Sequence, residues 1–291
     1  MTGVLAMASL AACSTTRPSM PRQTPALAAG PWELTVRLPG FPPIRVFGVT
    51  GAGDLTTAAV VVVMHGTERN ASDYRDAWVP LVQRRPMIVV VPEFPDDDFP
   101  GAAGYNLGGV VDADGDPVPR ERWTFAAIEP IVAQVRHQVG NTGRTFALFG
   151  HSAGAQFVHR YLEFMPQAPV STTVAANAGW YTMPDESADF PYGLDALPTP
   201  SVDLRALFGR DLVVLLGSDD VETENLRRDR GANAQGSTRY QRGLSFFARG
   251  RAAAEEDALD FRWRLVVVPG VAHDHVAMSA AAVELIAPSA G

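Results

Sequence analysis

Apolar residues recur along this chain in two spacings. Short continuous or alternating runs predict strands: Trp32 to Leu38 and Arg45 to Val49, with Pro-rich punctuation between them, then Ala58 to Met64, Met87 to Val91, Thr145 to Phe149, Ser171 to Ala176, Leu212 to Leu216 and Phe261 to Val268. Ala58 to Met64 and Met87 to Val91 lack polar alternation, which predicts strands buried on both faces. Between the strands, spacings of three and four predict helices. Asn70 to Arg85 places Tyr74, Trp78, Leu81 and Val82 on one face and ends before Pro86; others are expected at Trp123 to Val139, Ala155 to Phe164, Arg239 to Ala258 and His275 to Ile286. Two segments break the rhythm: the irregular excursion Pro92 to Arg122, and Gly179 to Gly209, whose four prolines predict a surface insertion.

Strands alternating with helices predict a mostly parallel sheet of about eight strands with helices on both faces, an α/β fold. A chain of 291 residues, 46% hydrophobic, can bury one large core. Residues 31–291 are therefore expected to form a single domain. No run of 18 apolar residues occurs, so no membrane-spanning helix is expected.

Composition narrows the function. A net charge of −8 without a clustered basic face argues against a nucleic-acid partner; the Arg84-Arg85 and Arg227-Arg228 pairs read as solvated surface. All 24 basic residues are Arg and none is Lys, which excludes Schiff-base, pyridoxal phosphate and P-loop lysine chemistry. No cofactor is expected. The single cysteine, Cys13, leaves the folded body without a disulfide, a thiol nucleophile or a cysteine metal site. Leu10-Ala11-Ala12-Cys13 resembles the lipobox of bacterial lipoprotein signals, which implies lipidation of Cys13, export, and membrane contact at the cell envelope through that anchor alone. No basic residue precedes Cys13, a departure from the positive opening of a secretory signal. The stretch from Ser14 to Gly30 reads as a tether, so residues 1–30 are assigned to signal and tether.

Gly150-His151-Ser152-Ala153-Gly154 lies between a predicted strand and a predicted helix, the context of a nucleophile elbow. A serine at such a tight turn needs neighbours without side chains. Two later strand ends carry matching chemistry: Gly217-Ser218-Asp219-Asp220, and the Pro269 to His273 segment. A serine hydroxyl becomes a nucleophile when an imidazole takes its proton, and the imidazole needs a carboxylate to fix its tautomer. Ser152, Asp220 and His273 fill these roles in the chain order Ser, Asp, His. Asp219 is the alternative acid; the Gly-x-x-Asp spacing favours Asp220. His275 competes with His273, and the two as metal ligands lack an evident third, so no metal is expected. His137, His151 and His159 lie on or beside helices and read as surface or packing residues, with His151 also carried as a substrate-binding candidate.

The Ala58 to Met64 strand leads into His65-Gly66-Thr67. Backbone amides of Thr67 and Ala153 are the expected oxyanion donors, with His65 holding the loop. Trp180 and Tyr181 are expected to wall the substrate pocket. The stretch from Asp112 to Asp116 resembles the opening of a calcium loop, but Pro117 stands where glycine is required and Trp123 where glutamate is required. It reads as a solvated acidic turn, as does Asp96-Asp97-Asp98.

Ser152, Asp220, His273 and the His65-Gly66 turn resemble the α/β-hydrolase superfamily. His65-Gly66-Thr67-Glu68-Arg69-Asn70-Ala71 with Tyr74 resembles its branch of polyhydroxybutyrate depolymerase-like and feruloyl-esterase-like proteins. The similarity runs from about Val60 to Met278, and the segment from Ala175 to Tyr181 adds to it. It implies the α/β-hydrolase fold and hydrolysis of carboxylic esters through an acyl-enzyme, on a small-molecule or polymeric ester. The rivals are a serine peptidase on the same fold and a catalytically silent envelope binding protein. Pro- and Gly-rich rims without long apolar runs predict short acyl or aromatic esters over long-chain lipids.

Overall fold

A computed structural model describes residues 27, 29–198 and 202–287. Cys13 and its expected lipidation lie outside these residues. The expected eight strands form one sheet: β1 (Gly30–Val36), β2 (Ile44–Thr50), β3 (Ala59–Met64), β4 (Met87–Pro92), β5 (Phe146–His151), β6 (Val170–Ala176), β7 (Leu212–Gly217) and β8 (Arg264–Val268). Their spatial order is β1-β2-β4-β3-β5-β6-β7-β8. The β1–β2 and β2–β4 pairs are antiparallel, and every pairing from β4 onward is parallel.

The helices are α1 (Ala71–Val82), α2 (Gly101–Gly104), α3 (Ile128–Val139), α4 (Ala153–Phe164), α5 (Leu204–Phe208), α6 (Arg230–Gln235), α7 (Arg239–Glu256) and α8 (His275–Ile286). α1 and α8 pack on one face of the sheet, α3, α4 and α7 on the other. Period-two geometry divides each central strand between the two layers. In β3, Val60, Val62 and Met64 enter the layer that holds α4, while Val61 and Val63 enter the layer beneath α1. Burial on both faces explains why these strands read as unbroken apolar runs, since each fully buried side chain adds about 1.5–3 kcal/mol.

Some boundaries differ from expectation. The stretch beginning at Trp123 opens as a 3-10 turn, Thr124–Ala127, before α3 starts at Ile128. Phe261 and Trp263 precede β8 and pack on Phe208 at 5.8 and 5.4 Å instead of extending the strand. α6 was not expected, because its only buried apolar side chain is Ala232 and no periodicity announces it; Asp229 caps it by accepting from Ala232 N at 3.0 Å. The segment from Asp112 to Asp116 is an exposed turn closed by Asp112, whose Oδ1 accepts from the amides of Asp114 and Asp116. Asp96 is more than a solvated acid: its Oδ1 pairs with Arg69 at 3.2 Å and accepts from Gly101 N at 2.9 Å.

Candidate active site

Parallel strands carry their chain ends to one edge of the sheet, where β3, β5, β6, β7 and β8 deliver the candidate residues. β5 ends at His151, and Ser152 follows with φ 58° and ψ −117°, a backbone region sparsely populated by L residues and costing about 1–3 kcal/mol. The turn is held on both sides: Ser152 N donates to Ala176 O at 3.0 Å, and Gln156 N donates to Ser152 O at 3.2 Å. Its glycines answer to space. A Cβ on Gly154 would lie 2.0 Å from Met64 O, and one on Gly150 would lie 2.1 Å from Gly154 O. All twelve residues of α4 are buried, so the elbow stands on a helix packed all round.

β7 ends at Gly217 and turns into the acidic pair, and the two carboxylates diverge. Asp219 is exposed and accepts from Ser218 Oγ at 2.7 Å. Asp220 is fully buried, with Oδ2 2.7 Å from His273 Nδ1. Its other oxygen faces Arg239 Nη1 at 3.5 Å, within ion-pair range but too long for a strong hydrogen bond. Arg239, at the start of α7, also donates to the carbonyls of Glu222 and Glu224. The loop bearing His273 is tied to β7 by Asn177, whose Oδ1 accepts from Gly217 N at 2.8 Å and whose Nδ2 donates to Ala272 O at 3.2 Å. Asn177 itself has φ 52°, a left-handed conformation that asparagine tolerates.

The turn after β3 carries Gly66 and Thr67. His65 fastens it: Phe94 N donates to Nε2 at 3.1 Å and Nδ1 lies 3.1 Å from Gly66 O. Both nitrogens are thus engaged as a neutral imidazole, and burial lowers its pKa to about 3. Tyr105 stacks on the ring at 4.6 Å and donates to His65 O at 2.8 Å. Arg69 lies over Tyr105 and donates to the carbonyls of Phe94 and Gly101. The 92–122 excursion therefore buttresses the turn.

Ser152, Ala153, Thr67 and His273 line one open cleft of about 510 Å³. Trp180, at the base of the 179–209 segment, forms part of its wall, with the guanidinium of Arg160 at 4.0 Å and that of Arg227 at 4.9 Å from its ring. Arg227 is held by an ion pair to Asp229 and remains 42% exposed. Asn106 donates to Gln156 at 3.0 Å, and both reach the cleft. Tyr181 corrects an expectation: it is fully buried, stacked on Phe246 at 4.4 Å and beside His159 at 5.1 Å, outside the lining of the cleft. Trp180 and Tyr181 both follow β6 outside any strand, and their side chains part, Trp180 to the cleft and Tyr181 into the core.

His151 lines the cleft beside His273, with ring centroids 4.4 Å apart, and His275 stacks on Tyr74 at 4.5 Å. Among the described residues, no three His, Cys, Asp or Glu side chains are grouped to hold a metal ion. Sequence reasoning did not find Arg239, Asn177 or Arg227 as part of the site. Asn177 stood in a segment already singled out; Arg239 comes from a distant stretch and carried no local signal, and Arg227, expected as solvated surface, instead lines the cleft. A hydroxyl on a strained turn and an imidazole bonded to a buried carboxylate are parts of nucleophilic acyl transfer.

No protein-family model matches the chain, and no curated protein does. Among solved structures it is similar to poly(aspartic acid) hydrolase-1 from Sphingomonas sp. KT-1, at 41% identity and a TM-score of 0.85 over 89% of this chain and 99% of that one. It is also similar to a poly(3-hydroxybutyrate) depolymerase from Bordetella parapertussis, at 36% identity and a TM-score of 0.83 over 89% of this chain and 90% of that one. An S-formylglutathione hydrolase from Agrobacterium tumefaciens, 14% identical with a TM-score of 0.58 over 92% of this chain and 99% of that one, shares the fold alone. Identity at this level, over nearly the whole of two solved hydrolases, places the chain in the α/β-hydrolase superfamily, in its polyhydroxybutyrate depolymerase-like branch.

Proposed function

We propose that the chain is a serine hydrolase that cleaves carboxylic esters, with Ser152 as nucleophile, His273 as base, Asp220 as its orienting acid, and the amides of Thr67 and Ala153 around the developing oxyanion. The observation that carries this reading is the 2.7 Å contact between His273 Nδ1 and Asp220 Oδ2, beside a serine held at φ 58° in the same cleft. In the first step Ser152 Oγ attacks the carbonyl carbon and its proton passes to His273. Collapse of the tetrahedral intermediate returns that proton to the departing alcohol and leaves an ester on Ser152; water, deprotonated by His273, then releases the acid. Each oxyanion donor supplies about 3–4 kcal/mol. The cleft is lined largely by polar groups, with Trp180 as the aromatic wall, which supports short acyl, aromatic or polyester substrates over long aliphatic chains. The deciding experiment is a panel of nitrophenyl esters of rising chain length with wild type and Ser152→Ala; activity retained in the variant refutes the mechanism.

A second reading, cleavage of amide bonds in an anionic polymer, is supported by the 41% identity to a poly(aspartic acid) hydrolase and by the Arg227 guanidinium held at the cleft. Poly(aspartate) and a peptide anilide in the same panel separate the two. We also propose export to the bacterial envelope with a lipid on Cys13, supported by Leu10-Ala11-Ala12-Cys13. Palmitate incorporation lost in Cys13→Ser is the expected result, and unlabelled wild type refutes it.

A further inference from the structure

The Thr67 turn, the elbow and the His273 loop come from three distant parts of the chain, and one hydroxyl lies where they meet. Tyr74, buried on α1, has Oη 3.1 Å from His151 Nδ1. A Cβ on Gly66 would stand 2.8 Å from the same oxygen. The Tyr74 ring stacks on His275, and the His151 ring packs on His273 at 4.4 Å with a tilt of 38°. His151 is only 3% exposed, so its ring has little freedom to move away. A single hydrogen bond to Asp220 fixes one nitrogen of His273 but leaves rotation about that bond open. A packed neighbouring ring closes it.

We propose that Tyr74 and His151 are a positioning pair for His273: the Tyr74 hydroxyl fixes the His151 ring, and that ring stops the imidazole from swinging about its bond to Asp220. The inference rests on the proposed role of His273 as base. The groups that face His151 are Tyr74 from α1, His273 from the loop before α8, His275 from α8 and Arg239 from α7. Burial first, then charge on His273, His275 and Arg239, holds His151 well below the usual histidine pKa. Burial likewise raises that of Tyr74, which stays a phenol. The pair is therefore neutral, and a proton taken from Ser152 rests on His273.

The test compares Tyr74→Phe, His151→Phe, the double variant and Ser152→Ala on a short nitrophenyl ester. Tyr74→Phe keeps the ring on His275 and removes one oxygen. The expected result is a kcat about 10- to 100-fold lower in each single variant with KM within about twofold, as for a misplaced catalytic group. The double variant should lose no more than the worse single one, because both act through the same ring contact. Should thermal unfolding show that His151→Phe does not fold, Tyr74→Phe alone decides. Both residues line the cleft, so a raised KM at unchanged kcat would make them substrate contacts and overturn the proposal, as would an unchanged kcat or multiplicative losses. Activity in Ser152→Ala would refute the serine mechanism itself; an inactive Ser152→Ala with unaltered Tyr74→Phe refutes the positioning pair alone.

Discussion

Asp220 Oδ2 and His273 Nδ1 stand 2.7 Å apart, with the carboxylate fully buried and the imidazole partly open to the cleft. Asp219, one residue earlier, points to solvent and to Ser218. Asp220→Asn is therefore expected to lower turnover by about 10⁴-fold through the wrong histidine tautomer, and Asp219→Asn by far less. Steady-state kinetics on one ester checks the ranking, and the reverse order moves the acid to Asp219.

The elbow has no space for a methyl group at Gly154, where Met64 O would be 2.0 Å away. Gly154→Ala should shift β3 against α4 and destabilise the chain by several kcal/mol, within the range of about 1–3 or more for overpacking. Ser152→Ala should leave stability nearly unchanged or slightly raised, because its hydroxyl makes no hydrogen bond among the described residues. Urea midpoints of the two variants decide this, and equal midpoints would show that the contact relaxes freely.

His65 and His159 each use both ring nitrogens in a neutral form. In His159, Nδ1 lies 2.8 Å from Ala155 O and Nε2 accepts from Thr182 N at 3.2 Å. Burial lowers the pKa of His65 to about 3, and depresses His159 and His151 well below the ordinary 6.5. The folded values lie below the unfolded ones, so the unfolded chain binds the extra protons. Stability is complete above about pH 6.5 and falls as pH drops, by about 1.4 kcal/mol per pH unit for each such histidine. Denaturant unfolding at pH 7 and pH 5 should show it, with a shallower slope in His159→Gln; an identical slope would mean that this histidine is already protonated when folded.

Arg227 faces the cleft with its guanidinium over Trp180 and its Nε committed to Asp229. Arg227→Gln should lower kcat/KM for a carboxylate-bearing ester or for poly(aspartate) by about tenfold or more, while neutral butyryl ester hydrolysis changes little. Trp180→Ala should reduce the preference for short or aromatic acyl groups. Equal effects of Arg227→Gln on charged and neutral substrates would remove it from recognition, and unchanged selectivity would do the same for Trp180.

The strand core was legible because burial on both faces writes itself as unbroken runs such as Val60 to Met64. Ser152 and His273 at the cleft, and the buried Asp220 bonded to His273, were legible for a related reason: each ends a strand or its following loop, and a parallel sheet gathers such ends. Arg239 was not, because its contact with Asp220 joins α7 to the β7 turn and depends on how the intervening segment folds back. Tyr181 misled for a local reason. It is adjacent to Trp180, and sequence proximity gave no hint that the two side chains part, one to the cleft and one to Phe246. Tyr74 was visible as a helix-face residue, yet nothing in its spacing showed that its hydroxyl would meet His151.

The helix beneath the nucleophile has no face on bulk solvent: Ala153 and Gln156 reach the cleft, and His159, Arg160 and Glu163 are enclosed. A helix so placed offers no silent positions. Selection of variants for a new substrate should therefore recover its tolerated changes at exposed stretches such as the 112–116 turn and its lethal ones along Ala153–Phe164, so that a mutational tolerance map of this chain would outline α4 as an uninterrupted block of intolerance.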